Sequence, residues 1–416
     1  MKNTWVPLDH AAKLLISGIK KTETQTFRIT CELTESVDPI LLQLATEFTL
    51  DHFPSYRFIM RKGVFWYYLE DSNKIPVVQK EHKSVCSDMK CMYSKKLLFE
   101  ISYFGKRIHM EVFHVLADGT STKEFFQTLI SKYISLAHKL PEPVASWDGS
   151  FSQRNDDSYN KYYSGNNSKL NKRLEAAQIR GTRYDANFLR NITARMIGTP
   201  VRSVAKEYDT TMTIYLVSCL IQSIGENINA REQKKPIMIS VPVDLRNYFP
   251  SFSARNFWGS ILIKYTWNES DNSIPSIINC IKPQFTHMLT KEFLENQLDE
   301  QSTIENKFWA KLVPLGIKRL ALKFVYKRSL KGITATLSNI GKINIAEQYK
   351  SYIRAFDICS STGKLKACVC SYDDILSISF TNPRTRSDIE KSFVRILTSN
   401  DINVSVFSND IEERRL

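Results

Sequence analysis

Apolar and polar residues alternate from Thr24 to Leu33 (TQTFRITCEL), the period of a half-buried strand, and Pro39 to Phe48 then switch to helical spacing. Two strand pairs follow. Tyr56 to Met60 and Val64 to Leu69 flank the turn Arg61-Lys62-Gly63, and Leu97 to Phe104 and Arg107 to Phe113 flank Gly105-Lys106, which predicts two hairpins. From Ser121 to His138 a helix is predicted, with Phe125, Phe126, Leu129, Ile130 and Tyr133 on one stripe. His114 thus falls at a strand end, just before a loop and a helix.

The stretch WDGSFSQRNDDSYNKYYSGNNSKLNKR, residues 147–173, has no periodic apolar pattern and reads as a surface linker between an N-terminal unit, 1–146, and a C-terminal unit, 174–416. Beyond it, helices are predicted from Val201 to Tyr208 and from Thr211 to Gly225. A strand from Pro236 to Pro242 leads into the aromatic loop DLRNYFPSFSARNFWG, and a second runs from Ser260 to Trp267. Helices then cover Ser273 to Phe293. Strands recur at Gly332 to Leu337, Ala367 to Ser371 and Ile375 to Phe380, and Arg386 to Ser399 closes the chain as a helix. Both halves mix strands and helices, an α/β (α+β) sandwich without a short fixed repeat.

At 416 residues the chain suffices for two halves sharing one cleft. Lys+Arg 57 against Asp+Glu 43 leaves +14, which points to an anionic partner. Eight cysteines show no C-x-x-C pair and no histidines at zinc spacing, so they read as reduced thiols of a cytoplasmic protein, and no metal site is predicted. Asp9, His10 and Lys13 interrupt any signal-peptide core, and the longest apolar run, Ile214 to Ile221, is far short of the ~20 residues that span a bilayer. Neither a zinc finger nor an RNA-recognition motif supports a nucleic-acid partner.

The segment Phe113-His114-Val115-Leu116-Ala117-Asp118-Gly119 carries the sharpest chemical signal. A neutral imidazole can take a proton from a hydroxyl, thiol or amine near pH 7. Gly119 would let the backbone turn. On composition alone this pattern is weak evidence. No G-x-S-x-G elbow, Walker A or G-x-G-x-x-G motif competes with it.

HVLADG matches the H-x-x-x-D-G signature of the coenzyme-A-dependent acyltransferase superfamily, which includes chloramphenicol acetyltransferase, plant hydroxycinnamoyl-type acyltransferases and condensation domains of nonribosomal peptide synthetases. Along the rest of the chain, WVPLDHAAKL, GVFWYYLE, SVPVDLRNYFPSFSARNFWG, TLSNIGKI and SYDDILSISF resemble, in that order, the bacterial alcohol acetyltransferase-like branch. The resemblance implies two sandwich subdomains with an active-site channel between them. It makes His114 the base that activates the acceptor, turns Asp118 away to pair with an arginine, for which Arg246 is the nominee, and gives Gly119 the turn and a backbone N–H. A second loop, Ser338-Asn339-Ile340-Gly341, would face the histidine and supply an oxyanion donor. It further implies a coenzyme A thioester as cosubstrate, with no permanently bound cofactor, and a small or lipophilic alcohol as acceptor, attacked directly in a ternary complex. A non-catalytic or carrier-protein-binding module is the alternative.

Two departures bear on activity. Condensation domains carry a second histidine where this chain has Phe113, and the plant D-F-G-W-G motif is absent, Asn256-Phe257-Trp258-Gly259 resembling instead the segment after the arginine loop. Between Glu305 and Glu347 the chain has no acidic residue but carries Lys307, Lys311, Lys318, Arg319, Lys323, Lys327, Arg328, Lys331 and Lys342. Ile317, Leu320, Ala321 and Phe324 recur at helical spacing within it, a basic amphipathic helix suited to coenzyme A phosphates, an acidic acyl carrier protein or a lipid surface, unless its stripe packs on the core.

Overall fold

The computed structural model describes residues 5–92, 94–144, 150–165, 174–185, 188–267, 271–306 and 313–409. In chain order the first half supplies β1 (Trp5–Pro7), α1 (His10–Gly18), β2 (Thr26–Leu33), α2 (Pro39–His52), β3 (Ile59–Lys62), β4 (Tyr67–Glu70), β5 (Gln79–Lys80), β6 (Phe99–Phe104), β7 (Arg107–Phe113) and α3 (Gly119–His138). The second supplies β8 (Arg190–Ile197), α4 (Gly198–Glu207), α5 (Met212–Asn227), β9 (Ile237–Asp244), β10 (Trp258–Tyr265), α6 (Ile274–Met288), α7 (Lys291–Asn306) and α8 (Leu315–Lys331). It ends with β11 (Ala335–Ile343), β12 (Ile353–Ser360), β13 (Leu365–Tyr372), β14 (Ile375–Asn382), α9 (Asp388–Thr398) and β15 (Val404–Ser408).

Aspartates start the helices that matter here. Asp9, Asp38 and Asp118 each accept a backbone N–H from the first turn of α1, α2 and α3, groups that no intrahelical carbonyl can reach. The strands form a five-stranded sheet in the order β12-β2-β7-β6-β5, a seven-stranded sheet in the order β10-β9-β11-β13-β14-β8-β15, and a small β1-β4-β3 sheet. A first core joins α2 and α3 to the five-stranded sheet, and a second joins α5, α6 and α9 to the seven-stranded one. β13 serves both: Cys368, Cys370 and Tyr372 point to the first core and Leu365, Ala367 and Val369 to the second, as the two-residue period of a strand requires. Cys368 and Cys370 thus share a face as simple neighbours.

Three features bear on the sequence expectation. β12 belongs to the second half of the chain but pairs antiparallel with β2, so the five-stranded sheet is completed from across the molecule. The described part of 147–173 is not only a surface linker: two helical turns, Phe151–Arg154 and Ser158–Lys161, dock there, with Tyr159 buried in the second core and donating to the Trp258 carbonyl at 2.7 Å. Residues 147–149 and 166–173 lie outside the described residues, as do Lys307 and Lys311. Finally, α8 is helical, but its apolar stripe does not pack on the core. Ile317, Leu320 and Phe324 are 61%, 72% and 68% exposed.

Other side chains hold α8. Leu315 is buried, Arg319 donates to the Tyr67 hydroxyl at 3.3 Å, and the Tyr326 hydroxyl donates to Glu23 at 2.6 Å. The Tyr326 ring lies so close to α1 that a Cβ on Gly18 would come within 2.5 Å of it. Among the described residues no helix is long and apolar enough to cross a membrane.

Gly18→Val should therefore push Tyr326 out and loosen α8 from α1, at the overpacking cost of about 1–3 kcal/mol. Limited trypsinolysis reads this directly, because α8 carries six basic residues: cleavage within 318–331 should accelerate about tenfold while the rest of the fold stays resistant. Unchanged cleavage would show that Tyr326 on Gly18 is not what holds the helix.

Candidate active site

His114 directly follows β7, and its backbone N–H donates to the Gln25 carbonyl at 2.9 Å, which plants the residue where β7 ends and β2 begins. Phe27 meets the imidazole edge-on at 5.0 Å between centroids, and Trp258 stands at 6.1 Å. Nδ1 of His114 lies 3.0 Å from Asn256 Oδ1. The Asn256 amide nitrogen donates to the His114 carbonyl at 3.0 Å and to Asp9 Oδ2 at 3.3 Å. Two acceptors around that nitrogen fix the orientation of the amide, so Oδ1 accepts and Nδ1 of the imidazole carries the hydrogen. Nε2 keeps its lone pair. Desolvation of the ring, then the Lys366 ammonium, push its pKa below the ordinary 6.5, outweighing the upward pull of its own backbone carbonyl, Asp118 and Asn256. The imidazole is neutral at pH 7.

Asp118 lines the same cavity as His114, but both of its oxygens are engaged elsewhere. Its Oδ1 accepts from the Ser121 N–H at 3.0 Å, capping α3, while Oδ2 accepts from Arg246 Nη1 at 2.8 Å and from the Phe257 N–H at 2.9 Å. Burial alone would raise this carboxyl, but the Arg246 charge and the two N–H donors hold it below the ordinary 3.8. Arg246 also donates to Asp244 at 3.0 Å, to the Ser121 hydroxyl at 3.2 Å and to the Ser253 and Arg255 carbonyls at 3.0 and 2.6 Å. Asp9 repeats the division. Its Oδ1 caps α1 through Ala12 at 2.7 Å, and its Oδ2 receives Asn256 and the buried Arg255 guanidinium, the latter at 3.3 Å.

Gly119 opens α3 without a left-handed backbone, so the turn expected of it is not its role. Its demand is steric: a Cβ would stand 3.0 Å from Ile340 Cγ2 on β11. Ser338 and Asn339, expected on a loop, lie within β11, which continues past a bulge between Asn339 and Lys342 where Gly341 takes φ 74°. Asn339 donates to the Thr213 hydroxyl at 3.2 Å and accepts from the Gly341 N–H at 2.8 Å, bracing that bulge.

His114, Gly119, Ser338 and Asn339 line one cavity of about 2000 Å³ between the five- and seven-stranded sheets, roofed by α8. Phe65, Trp66, Trp258, Ile317 and Phe324 give it apolar walls, and Lys366 and Cys368, alternate residues of β13, form part of its floor with Lys364 just before the strand. Phe113 is buried in the first core and is not among its lining residues. Sequence reasoning missed Asn256 as the partner of the histidine, Asp9 as the carboxylate that holds Asn256, and Lys366 as the charged neighbour of the ring. The polar Arg255-Asn256 pair amid aromatic residues was the available signal.

No family model matches the chain, and no curated protein matches its sequence. Solved structures do. Polyketide synthase associated protein 5 from Mycobacterium tuberculosis aligns at a TM-score of 0.60 and 13% identity over 95% of this chain and 96% of its own. A trichothecene 15-O-acetyltransferase from Fusarium sporotrichioides gives 0.62 at 10% identity over 96% and 95%. A mutant starter condensation domain of rhizomide synthetase, in complex with C8-CoA and Leu-SNAC, gives 0.60 at 11% identity over 95% and 94%. The chain therefore has the two-subdomain, chloramphenicol acetyltransferase-like α/β fold that these acetyltransferase and condensation-domain structures share.

Asp118→Asn leaves the largely buried Arg246 with Asp244 as its one remaining anionic partner and weakens two N–H contacts, so it should lower unfolding free energy in urea by about 1–3 kcal/mol. The folded-state pKa of Asp118 is depressed, so its contribution is complete above the ordinary 3.8 and is lost as pH falls through the folded value. The stability gap between wild type and variant should accordingly be constant at neutral pH and shrink below about pH 4. A pH-independent gap would mean that the charge is not what stabilises the junction.

Proposed function

We propose that the protein transfers an acyl group, acetyl in the simplest case, from a coenzyme A thioester to an alcohol hydroxyl, with His114 as general base and both substrates in the cavity together. The observation that carries this reading is the neutral imidazole lining the inter-sheet cavity, with Nδ1–H held by Asn256 and Nε2 left as the basic atom. As the acceptor oxygen attacks the thioester carbonyl, Nε2 takes its proton. The tetrahedral oxyanion then collapses, the C–S bond breaks, and the departing sulfur recovers the proton from Nε2, leaving ester and free thiol. The Ser338 hydroxyl is the nominated oxyanion donor, a role commonly worth about 10²–10³ in rate. Asn339, committed to Thr213 and Gly341, holds the bulge that presents Ser338.

The aromatic and aliphatic walls favour a lipophilic acceptor over a charged one. Phe113 in place of a second histidine sets the chain apart from the condensation pattern. A carrier-protein-binding role is the second reading, favoured by one observation: α8 presents Lys318, Arg319, Lys323, Lys327 and Arg328 beside its exposed stripe, a surface that would complement an acidic carrier.

His114→Ala should reduce free-thiol release from acetyl-CoA in the presence of mixed alcohols by about 10²–10⁴ without unfolding the protein. In the wild type the acid limb of kcat/KM should have its midpoint below 6.5, because desolvation keeps the base neutral to lower pH. Equal turnover by the folded variant, or a limb above the ordinary histidine range, would remove His114 from the role. Asn256→Ala should lower kcat roughly tenfold or more with little change in KM, since the ring loses the partner that selects its tautomer.

A further inference from the structure

The exposed stripe of α8 belongs to a larger apolar surface around the mouth of the cavity. Ile317, Leu320 and Phe324 recur at helical spacing on one side of α8, while Leu315, Arg319 and Tyr326, which tie it to the body, occupy the other. Ile317 and Phe324 line the cavity although each is more than half exposed, so they stand where it opens to solvent. Trp5 and Phe65, also lining and also exposed, continue this rim. Trp5 on β1 meets Tyr68 of β4 edge-on at 6.1 Å, and Phe65, between β3 and β4, accepts from Lys318 Nζ through its carbonyl at 3.4 Å. Val64, 76% exposed, borders the rim, its carbonyl accepting from the Leu315 N–H at 3.4 Å.

Cations accompany this surface and the fold does not neutralise them. Among the described residues Arg319, Lys323, Lys327, Arg328 and Lys331 form no ion pair, and no acidic residue falls between Glu305 and Glu347. An acidic protein would complement these charges alone. An anionic lipid surface would complement both features, its headgroups meeting the cations and its acyl boundary receiving apolar side chains that protrude from three separate segments. Contact of this kind is interfacial, consistent with the lack of a membrane-crossing helix among the described residues. Behind the mouth, Trp66 and Trp258 carry the apolar lining inward.

We propose that α8 and the neighbouring tip of the β3-β4 hairpin dock the mouth of the cavity on an anionic membrane surface, from which a lipid-dissolved alcohol enters without crossing water. Docking stands on the surface alone, whereas delivery of the acceptor rests on the acyl-transfer reading above. Leu320 and Val64 are the side chains that isolate docking from chemistry, because both protrude at the rim and neither lines the cavity. Lys323 isolates the charge in the same way.

Co-sedimentation of the full chain with phosphatidylcholine vesicles, with and without phosphatidylserine at about a quarter of the lipid, tests docking without any substrate. The wild type should bind the anionic vesicles and release them as salt rises. Val64→Ser combined with Leu320→Ser keeps the net charge and should weaken binding about tenfold, through lost apolar insertion. Lys323→Ser should weaken it about fivefold, whereas Lys391→Ser, which removes the same charge from exposed α9 on the second core, should not. Absence of binding, an unaffected double variant, or equal losses for Lys323→Ser and Lys391→Ser would overturn the proposal, the last by reducing it to adsorption through net charge. Capture of an acyl carrier protein in place of vesicles, lost in the double variant, would overturn it in favour of the carrier reading. With transfer measured as well, the double variant should keep its rate on a water-soluble alcohol and lose about tenfold on a long-chain alcohol dissolved in anionic vesicles. Vesicle binding with no transfer to any alcohol would leave docking standing and remove the acyl-transfer reading, and transfer without vesicle binding would do the reverse.

Discussion

Two aspartates, each capping a helix with one carboxylate oxygen and holding the 244–258 loop with the other, set the position of one half of the molecule against the other. Asp118 fixes the start of α3 and takes Arg246 and the Phe257 N–H; Asp9 fixes the start of α1 and takes Asn256 and Arg255. A cap alone is worth about 0.5–2 kcal/mol. Its second oxygen is where long-range geometry enters, because Arg246 lies 128 residues from Asp118 and Asn256 lies 247 from Asp9. Removing charge from either carboxylate would cost more than a cap, since the guanidinium it faces would remain buried. The histidine inherits its orientation from this arrangement: Asn256 reaches Nδ1 only because the residues on both sides of it, Arg255 and Phe257, are tied to those two caps.

That dependence shapes the chemistry. A general base pushed below 6.5 is fully available at neutral pH but is intrinsically weaker, so the transfer needs the surroundings to favour the imidazolium as it forms. Asp118 and Asn256 both act in that direction, while Lys366 acts against it.

Local signals in the sequence reached as far as local structure did. His114 at the end of β7, Asp118 ahead of α3 and the hairpin before them are set by residues within a few positions of each other, and all three are legible in the pattern. β8, β12 and β15 were not foreseen. β12 in particular takes its place from pairing with β2, more than 300 residues away, and RAFDIC carries no marker of that partner. The stripe on α8 left an alternative open for a related reason: Ile317, Leu320 and Phe324 have core-like spacing, but Leu315 and Tyr326 make the contacts with the body, and spacing cannot say which face is used. Gly119 is conformationally ordinary and sterically necessary, a distinction visible only once Ile340 is placed beside it. Asn256 was read for its aromatic neighbours, while its function lies in an amide whose three contacts come from Asp9 and His114.

The cavity also holds a nucleophile that would permit a different route, in which Cys368 accepts the acyl group before the alcohol does. Thiol attack requires thiolate. Burial raises the Cys368 pKa to about 11, with Lys366 pulling weakly the other way, so at neutral pH about one molecule in ten thousand would carry the thiolate. His114, by contrast, is already in its reactive form at that pH. A covalent relay would therefore begin from a rare state, while direct attack by the alcohol begins from the neutral imidazole. The same burial that raises the thiol lowers the histidine, and both shifts favour the proposed ternary-complex route over the relay.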